Sequence, residues 1–577
     1  MEEILLNKIG KKIILLGNEA LVRGALEEGV NFVSTYPGTP ASEIGNIFFK
    51  LSQNKKYKGY FEFSTNEKVA LEAGIGASFS GLRTLVAMKN FGLNVCLDSL
   101  IPFVYTGTRG PTVIIVADDP SCHSSAQSEE NSRFIALAAH IPVLEPSDPQ
   151  ECKDFVRLGF RISKEFKIPV IIRTTTRVAH QRAVVKLGGF IQTLQPKASF
   201  IRNQKKFVTM PPRVLEMKKE LLRKIEKIRD FSEKSPLNLT YRWSLKPRFI
   251  SRLTPLRGAR LPKSINGVGV ITSGISYLYV REALQEMALN LPVLKLGFFN
   301  PLPEEKIKKF IKPLKKVLIV EELEPYLEKE IERMAKKVNC NLDIIGKKLL
   351  PEVGELKPEQ VASALAKFTN TKYKIKNTKY QIQVKHLPRF CPGCPYWQIF
   401  TAVKKIAPGD AVFGGDIGCY MLGSIAPHDL YDYLSAMGSS IGIGHGISKT
   451  TGKKTITFIG DSTFFHAGIP ALINAVFNKS NPLIIILDNG TTAMTGHQPH
   501  PGTSVRIDSE YKFEWEKETP IKIEKIVLAC GVKNLKIVNS FNLKEIENAI
   551  EEFLPQKEVS VIIARGMCAL LAKSLKQ

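Results

Sequence analysis

The sequence lacks the features that mark membrane and secreted proteins. Its longest apolar runs, such as 113–117 and 483–487, fall far short of the ~20 residues that a membrane-spanning helix needs. The first residues, Met1-Glu2-Glu3-Ile4, include acids where an export signal carries cations. Nine cysteines are an odd and sparse set for a disulfide framework. We therefore expect a cytoplasmic protein without a membrane segment and without structural disulfides.

Acidic residues are scarce relative to basic ones. The chain has 55 Asp and Glu against 81 Lys and Arg, a net charge of +26. Much of the excess lies in residues 201–265, which include a helix-like stretch, 214–229, and an irregular stretch, 251–263. No RNA-binding aromatic motif, zinc finger or recognition helix accompanies the charge, and we expect no nucleic-acid partner. The segment stays open as a solvated or subunit-facing surface or as a docking face for an acidic partner, because charge alone fixes no partner.

The length excludes a protein with a single core. At ~150 residues per domain, 577 residues predict about four units. Apolar runs alternate with helix-like stretches along most of the chain, which is typical of α/β folds with buried parallel strands. The predicted strands include 13–16, 84–88, 113–117, 169–172, 267–271, 293–296, 316–320, 455–459, 483–487 and 559–564.

The spacing of these strands predicts three α/β domains and two connecting segments. We expect domains at 1–185, 266–360 and 389–577. A basic linker at 186–265 and a linker rich in Lys and Asn at 361–388 would separate them.

Polar residues follow two neighbouring predicted strands in the third domain. Gly460-Asp461-Ser462 ends the first strand, and Asn489 follows the next. The ends of parallel strands open on the same edge of a sheet, so Asp461 and Asn489 can converge. A carboxylate, an amide oxygen and a backbone carbonyl, here that of Thr491, are ligands suited to Mg²⁺ with a diphosphate. The alternative is an ordinary turn at a strand end.

These motifs resemble the alpha subunit of indolepyruvate ferredoxin oxidoreductases, a family of thiamin diphosphate-dependent 2-oxoacid:ferredoxin oxidoreductases. Residues 460–468 and 488–496 carry the thiamin diphosphate motif in the form that is similar to that family. The other resembling blocks, in the family's order, are 36–43, 66–70, 118–125, 173–177, 321–325 and 391–395. The resemblance implies an α/β fold of several doubly wound, transketolase-like domains: a pyrimidine-binding domain first, a transketolase-C-like domain next and a diphosphate-binding domain last.

The resemblance also implies roles for particular residues. Glu67 would be the carboxylate that activates the cofactor, although a glutamate in the first turn of a helix is common for dipole reasons alone. Thr39 and His123 would lie near the substrate, and for His123 a structural hydrogen bond is an equal alternative. The implied cofactor-binding residues are Glu67, Gly418, Gly460, Asp461, Ser462 and Asn489, and the implied Mg²⁺ ligands are Asp461, Asn489 and Thr491.

Four of the nine cysteines match the family's cluster positions. Cys391 and Cys394 form a Cys-x-x-Cys, Cys419 follows a glycine, and Cys568 follows the last predicted strand. The resemblance implies that they bind one 4Fe-4S cluster, which needs four thiolates. A structural zinc at the Cys-x-x-Cys and buried inert cysteines remain as alternatives.

The chain departs from the family at two places. Longer relatives continue beyond the position of Cys568 into a ferredoxin-like domain, whereas this sequence ends at Gln577, so we expect the distal clusters to be absent from this short form. The family usually has His-Arg where this chain has Tyr396-Trp397. We expect that exchange to affect either the substrate preference or the surroundings of the cluster.

The implied activity is the oxidative decarboxylation of arylpyruvates to aryl-acetyl-CoA through a thiamin diphosphate ylid, with electrons passing through the cluster to ferredoxin. The implied partners are a smaller beta subunit, ferredoxin, coenzyme A and the arylpyruvate, in a dimer of heterodimers. A non-redox thiamin diphosphate-dependent decarboxylase and a non-catalytic partner subunit remain as alternatives.

Overall fold

The computed structural model describes residues 2–54, 57–124, 127–191, 198–242, 263–373, 389–503, 506–507, 513–514 and 520–574. The chain forms two compact units. The first consists of residues 1–62 and 67–379, and the second of residues 63–66 and 380–577. Among the described helices, none is long and apolar enough to cross a membrane.

The first unit contains a seven-stranded sheet with a fully buried centre. Every residue of its strands Thr84–Lys89, Thr112–Asp118 and Val170–Thr175 is buried, and these strands are parallel. Strands buried on both faces are typical of sheets covered by helices on both sides. The order across the sheet is Phe298–Asn300, Val143–Leu144, Val170–Thr175, Thr112–Asp118, Thr84–Lys89, Phe32–Thr35 and Tyr60–Phe63.

A five-stranded sheet completes the first unit. Its strands are parallel except for Asn238–Arg242, which runs antiparallel to its neighbour. The order is Asp343–Ile345, Lys316–Val320, Val268–Ser273, Pro292–Leu296 and Asn238–Arg242, and a separate short pair joins Lys263–Ser264 to Leu289–Asn290. The α-helices of the unit are Gly17–Glu27, Ser42–Ser52, Glu67–Phe79, Asn90–Thr106, Ser132–Ala138, Pro149–Phe166, Thr176–His180, Gln204–Phe207, Arg213–Lys234, Ser276–Glu286, Glu304–Ile311, Tyr326–Val338 and Pro358–Phe368.

The second unit is built on a six-stranded parallel sheet. Its order is Tyr433–Leu434, Val412–Gly415, Thr455–Gly460, Leu483–Asp488, Ser560–Arg565 and Asn534–Asn539. A short antiparallel pair joins Arg506–Ile507 to Phe513–Glu514. The helical segments are Tyr396–Ile406, Ser439–Thr451, Asp461–Thr463, Phe464–Gly468, Ile469–Phe477, Ile523–Ala529, Leu543–Phe553 and Ala569–Ser574. The sheets of the two units confirm the expected α/β class.

The strand predicted at 13–16 forms, but its predicted burial in a parallel sheet is wrong. Lys12–Leu16 does not join a buried parallel sheet but pairs antiparallel with Arg182–Lys186. Ile14 and its partner across the pair, Val184, are 64% and 57% exposed. A short apolar run occurs both in strands buried on two faces and in strands buried on one face. The sequence therefore could not distinguish the two environments.

The helix after Asp461 begins irregularly. The structure has a π-helical turn, Phe464–Gly468, followed by the helix Ile469–Phe477. Gly438 lies against this turn with a positive φ of 83°, and a Cβ on Gly438 would lie 2.6 Å from the Ala467 Cβ. The chain therefore passes close to the turn only because residue 438 has no side chain.

The two predicted linkers contain ordered structure. The 22-residue helix Arg213–Lys234 lies in the predicted basic linker, and the helix Pro358–Phe368 continues past the predicted boundary at residue 360. The irregular basic stretch falls almost entirely on residues 251–262, which lie outside the described part, as do residues 374–388.

A buried ionic cluster joins the two sheets of the first unit. Arg133 makes two bonds to Glu145, of 2.6 and 2.7 Å, and one of 2.9 Å to the Ser273 hydroxyl. Its Nη1 lies 3.4 Å from Glu321. Four carboxylates in this region face two guanidiniums, so the arginines cannot neutralise every acid. The carboxylates are Asp118, Glu145, Glu321 and Glu322, and the guanidiniums are Arg133 and Arg173.

We predict that Glu322 makes the first unit less stable as the pH rises. Burial raises the pKa of Glu322 from 4.5 to about 7, against the opposing charge of Arg173. Below pH 4.5 the carboxyl is protonated in both the folded and the unfolded chain. Between pH 4.5 and 7 only the unfolded chain ionises it freely, so the folded chain loses stability, by roughly 3 kcal/mol at most.

Glu322→Gln should remove this pH dependence, because a glutamine oxygen can still accept the 3.2 Å bond from the Leu356 amide. The melting temperature of the variant should exceed that of the original protein by a margin that grows from pH 5 to pH 8. Glu305→Gln, at a side chain that is 77% exposed, is the control. Parallel curves for the original protein and Glu322→Gln would contradict the prediction.

Candidate functional site

The structure brings Asp461 and Asn489 together at the ends of adjacent strands. Gly460 and Leu487 are register partners in the parallel pair, so the two strands end side by side. Asp461, 2% exposed, accepts a 2.7 Å bond from the Ser462 amide at Oδ1. Its Oδ2 accepts the amides of Asn489 and Gly490 at 3.1 and 2.8 Å. The carboxylate thus fixes the loop after the second strand.

Both polar atoms of the Asn489 side chain have a hydrogen-bond partner inside the protein. Its Oδ1 accepts a 3.0 Å bond from the Thr491 amide, and its Nδ2 donates a 2.6 Å bond to the Tyr396 hydroxyl. Ser462 lies in the same group, because its hydroxyl lies 3.1 Å from that of Thr492. The donor set of this edge consists of carboxylate, amide and carbonyl oxygens, which fits Mg²⁺.

His500 belongs to this edge and was missed in the sequence. Its Nδ1 accepts a 3.1 Å bond from the Gly502 amide, which leaves the proton of a neutral ring on Nε2. That Nε2 lies 3.2 Å from Asp461 Oδ2, and both side chains are 3% exposed. Within the described residues this contact lacks hydrogen-bond geometry, so Nε2 faces the Asp461 carboxylate without a hydrogen bond to it. The loop between Asn489 and His500 follows no helix or strand periodicity, so spacing gives no signal.

Gly418 approaches the same edge from a different strand. A Cβ on Gly418 would lie 2.2 Å from the ring of Tyr420, and the Thr463 hydroxyl donates a 3.1 Å bond to the Ile417 carbonyl beside it. The Tyr420 hydroxyl in turn bonds to Asp416, whose pKa burial raises to about 6. Gly418 therefore allows this loop to pack against the helix that Asp461 begins.

A cavity of about 320 Å³ opens beside Asn489. Arg565 on its wall bonds to Asp488 at 2.7 Å and to Glu524 at 2.9 Å. Because two carboxylates face this single guanidinium, the wall carries no uncompensated positive charge from Arg565.

The four predicted cluster cysteines lie within range of one another's charge. The pKa of Cys419 is raised to about 12, by burial first and then by the charges of the other three cysteines. The pKa of Cys394 is raised to about 11, again by burial first, while the Tyr396 amide donates to its sulfur and acts in the opposite direction. All nine cysteines are free thiols. The structure therefore gathers Cys391, Cys394, Cys419 and Cys568 in one region of the second unit.

In the part of the chain that the structure describes, no three His, Cys, Asp or Glu side chains are arranged to hold a single metal ion. A 4Fe-4S cluster is held by one thiolate at each of four irons, and four soft thiolates are the ligands that such a cluster takes.

Glu67 begins the helix Glu67–Phe79 in the first unit and is 8% exposed. A Cβ on Gly92 would lie 2.5 Å from the Glu67 Cγ, so the facing helix Asn90–Thr106 reaches Glu67 only because residue 92 is glycine. The charge of Glu67, after burial, raises the pKa of Cys96. Glu67 is thus a buried carboxylate, which solubility alone does not require.

Thr39 and His123 lie in different surroundings. The Thr39 carbonyl accepts a 2.7 Å bond from the Ser124 hydroxyl, which also lies 2.9 Å from Lys89 Nζ. The His123 side chain is 55% exposed, and its Nε2 lies 3.6 Å from the Glu355 carboxylate. Lys89 could not be singled out in the sequence, because a lysine at a strand end is usually solvated.

Comparison with known proteins places these features in a family. Residues 23–230 match the family described as pyruvate flavodoxin/ferredoxin oxidoreductase, thiamine diphosphate-binding, and residues 416–564 match the thiamine pyrophosphate enzyme C-terminal domain. A solved 2-oxoglutarate:ferredoxin oxidoreductase from Magnetococcus marinus is 17% identical, with a TM-score of 0.47, over 62% of this chain and 65% of that chain.

Full-length relatives are more similar. Indolepyruvate oxidoreductase subunit IorA of Methanothermobacter thermautotrophicus is 41% identical over 100% of this chain and 90% of its own length. The subunit IorA of Pyrococcus horikoshii is 40% identical over 98% of this chain and 87% of its own. Since such relatives align along essentially the whole sequence, this chain belongs to the indolepyruvate oxidoreductase subunit IorA family.

Proposed function

We propose that this chain is the thiamin diphosphate-binding subunit of a 2-oxoacid:ferredoxin oxidoreductase that converts arylpyruvates to aryl-acetyl-CoA. The observation that carries the proposal is the convergence of Asp461 and Asn489 at the ends of adjacent parallel strands. The identity to IorA subunits along the whole chain supports the arylpyruvate class of substrate.

Asp461, Asn489 and Thr491 would hold Mg²⁺ through oxygen atoms. When bound, thiamin diphosphate supplies the carbanion chemistry that releases carbon dioxide from a 2-oxoacid, and a 4Fe-4S cluster carries single electrons. The buried edge around Asp461 excludes water, which strengthens every charge interaction there.

The Glu67 carboxyl would exchange a proton with a ring nitrogen of the cofactor's aminopyrimidine. Its burial, with Gly92 packed against its Cγ, supports this role, since a general acid–base group must be held in place at the reacting atom. Thr39 would lie at the substrate, held by the Ser124 hydroxyl. His123 is exposed, so it would reach the substrate only from the protein surface.

Cys391, Cys394, Cys419 and Cys568 would bind the 4Fe-4S cluster. A smaller beta subunit would complete the enzyme, as would be expected of a chain that belongs to a family named as subunits. Coenzyme A would take the acyl group, and ferredoxin would take the electrons, with the basic 201–265 segment as one docking face.

An anaerobic assay of the chain with its smaller subunit tests the proposed function. Indolepyruvate, coenzyme A and a viologen dye should give carbon dioxide and dye reduction that both require thiamin diphosphate and Mg²⁺. Carbon dioxide release without dye reduction would favour the non-redox decarboxylase, and the absence of both would favour a non-catalytic subunit.

Asp461→Asn should lower the affinity for thiamin diphosphate with Mg²⁺ by about 100-fold or more. The single oxygen of asparagine can still accept the Asn489 and Gly490 amides, but the side chain loses the acceptor for the Ser462 amide and the charge for the metal. A change in a supporting residue alone typically costs 10- to 100-fold. Calorimetry measures the affinity, and Asp432→Asn, at a carboxylate that accepts the Phe413 amide, is the control. Unchanged affinity in Asp461→Asn would remove Asp461 from the site.

Glu67→Gln should bind the cofactor normally and lower turnover by roughly 10²-fold or more, the scale of a lost general acid–base group. Glu72→Gln on the same helix is the matched control, because Glu72 is 44% exposed and pairs with Lys68. Near-normal turnover in Glu67→Gln would show that Glu67 serves only as a first-turn helix residue.

Cys568→Ser should lose cluster iron and keep thiamin diphosphate binding. The other three thiols cannot hold all four irons, which each need a ligand. Cys530→Ser, in the same unit, is the control and should keep about four irons per chain. Full iron content in Cys568→Ser would point to another fourth ligand.

A further inference from the structure

Tyr396 lies between the Asp461–Asn489 edge and the predicted cluster cysteines, and the proposed function gives it no role. It is the first residue of the helix Tyr396–Ile406, directly after the Cys391-Pro-Gly-Cys394-Pro motif, and is 3% exposed. Burial raises its pKa well above the usual range, followed by the charges of Asp461 and of nearby cysteines. The phenol therefore stays neutral between that edge and those cysteines.

Two hydrogen bonds attach Tyr396 to those sites. Its backbone amide donates to the sulfur of Cys394, and its hydroxyl accepts a 2.6 Å bond from Asn489 Nδ2. The Cys568 amide makes a second link, donating a 3.2 Å bond to the Asn489 carbonyl. Asn489 is thus held from the side of the cysteines through both its side chain and its backbone.

The orientation of the Asn489 amide follows from its two partners. The Thr491 N–H can only donate, so the atom facing it at 3.0 Å must be the oxygen, Oδ1. The Nδ2 group then faces the interior and needs an acceptor. The Tyr396 hydroxyl is that acceptor, and it leaves Oδ1 on the side of Asp461 and Thr491.

Packing fixes the place of the hydroxyl. The ring of Tyr396 lies edge-on to Phe390 and to Tyr420, with centroids 6.2 and 6.4 Å apart and planes at 80° and 78°. Edge-to-face contacts of this kind hold a ring in one orientation. Tyr396 therefore presents a rigid acceptor rather than a mobile one.

We propose that Tyr396 is a positioning residue that sets the Asn489 side chain for metal binding. The inference rests on the proposed role of Asn489 as a Mg²⁺ ligand. Without the hydroxyl, a buried Nδ2 group loses its acceptor, and the Thr491 amide alone holds the side chain, so Asn489 is less firmly kept in the orientation that presents Oδ1. The Tyr-Trp exchange after the cysteine motif thus concerns the metal site as well as the cysteines.

Tyr396→Phe tests the inference, because it removes only the hydroxyl. Its dissociation constant for thiamin diphosphate with Mg²⁺ should rise about tenfold, the effect of leaving a buried donor without a partner. With Mn²⁺ replacing Mg²⁺, the electron paramagnetic resonance spectrum of the bound ion should change shape, since Mn²⁺ prefers the same oxygen ligands. Iron content should remain unchanged.

Tyr431→Phe is the matched control. Tyr431 is a second tyrosine of the same unit, and its hydroxyl donates a single 3.0 Å bond to the Tyr420 carbonyl. We expect this variant to keep the original affinity and Mn²⁺ spectrum. In an Asn489→Ser background, adding Tyr396→Phe should not weaken binding further, because the group that Tyr396 positions is already absent.

The outcomes separate this inference from the function on which it rests. Unchanged affinity in Tyr396→Phe, equal losses in Tyr396→Phe and Tyr431→Phe, or additive losses with Asn489→Ser would overturn the positioning role alone. If Tyr396→Phe does not fold, Tyr396→His, which keeps a buried ring with an acceptor nitrogen, should stay within about threefold of the original affinity. If Asp461→Asn binds the cofactor as tightly as the original protein, the proposed metal site fails, and the inference fails with it.

Discussion

The Asp461 carboxylate is the constraint on which the second unit's site depends. By accepting the amides of Ser462, Asn489 and Gly490, it ties the end of one strand to the loop after its neighbour. That loop can then turn only one way, with the Asn489 side chain toward Tyr396 and its carbonyl toward the Cys568 amide. The edge around Asp461 and the cysteines Cys394 and Cys568 are consequently joined by one hydrogen-bond network, although they lie far apart in sequence.

The strands at the centre of each sheet could be predicted because burial on both faces requires continuous apolar runs. Thr112–Asp118 and Leu483–Asp488 are such runs, and the convergence of Asp461 and Asn489 follows from their parallel geometry. Strands nearer the edges lack that signal. Val412–Gly415 contains two glycines, and Asn534–Asn539 is only partly buried, so neither has enough apolar residues to be distinguished from a loop.

The contacts of the site depend on tertiary structure that spacing does not encode. Tyr396 stood out in the sequence only as an unusual residue, because its partner Asn489 is 93 positions away, in the loop after the strand Leu483–Asp488. His500 lies in an irregular loop, and its approach to Asp461 depends on how that loop folds back. Glu67 could be singled out only through the family resemblance. Its contact with Gly92 comes from two helices packed face to face.

The buried carboxylates Glu145 and Asp461, one in each unit, have opposite kinds of partners. The difference distinguishes a structural core from a candidate site. In the first unit, burial alone would raise the pKa of Glu145, but Arg133 and Arg173 lower it, so its charge is neutralised by fixed cations. In the second unit, within the described residues no lysine or arginine pairs with Asp461, which instead accepts backbone N–H groups and faces a histidine. Neutral N–H donors stabilise a carboxylate without cancelling its charge. Asp461 is thus held by N–H donors that position its oxygens, a donor arrangement that suits a hard cation such as Mg²⁺.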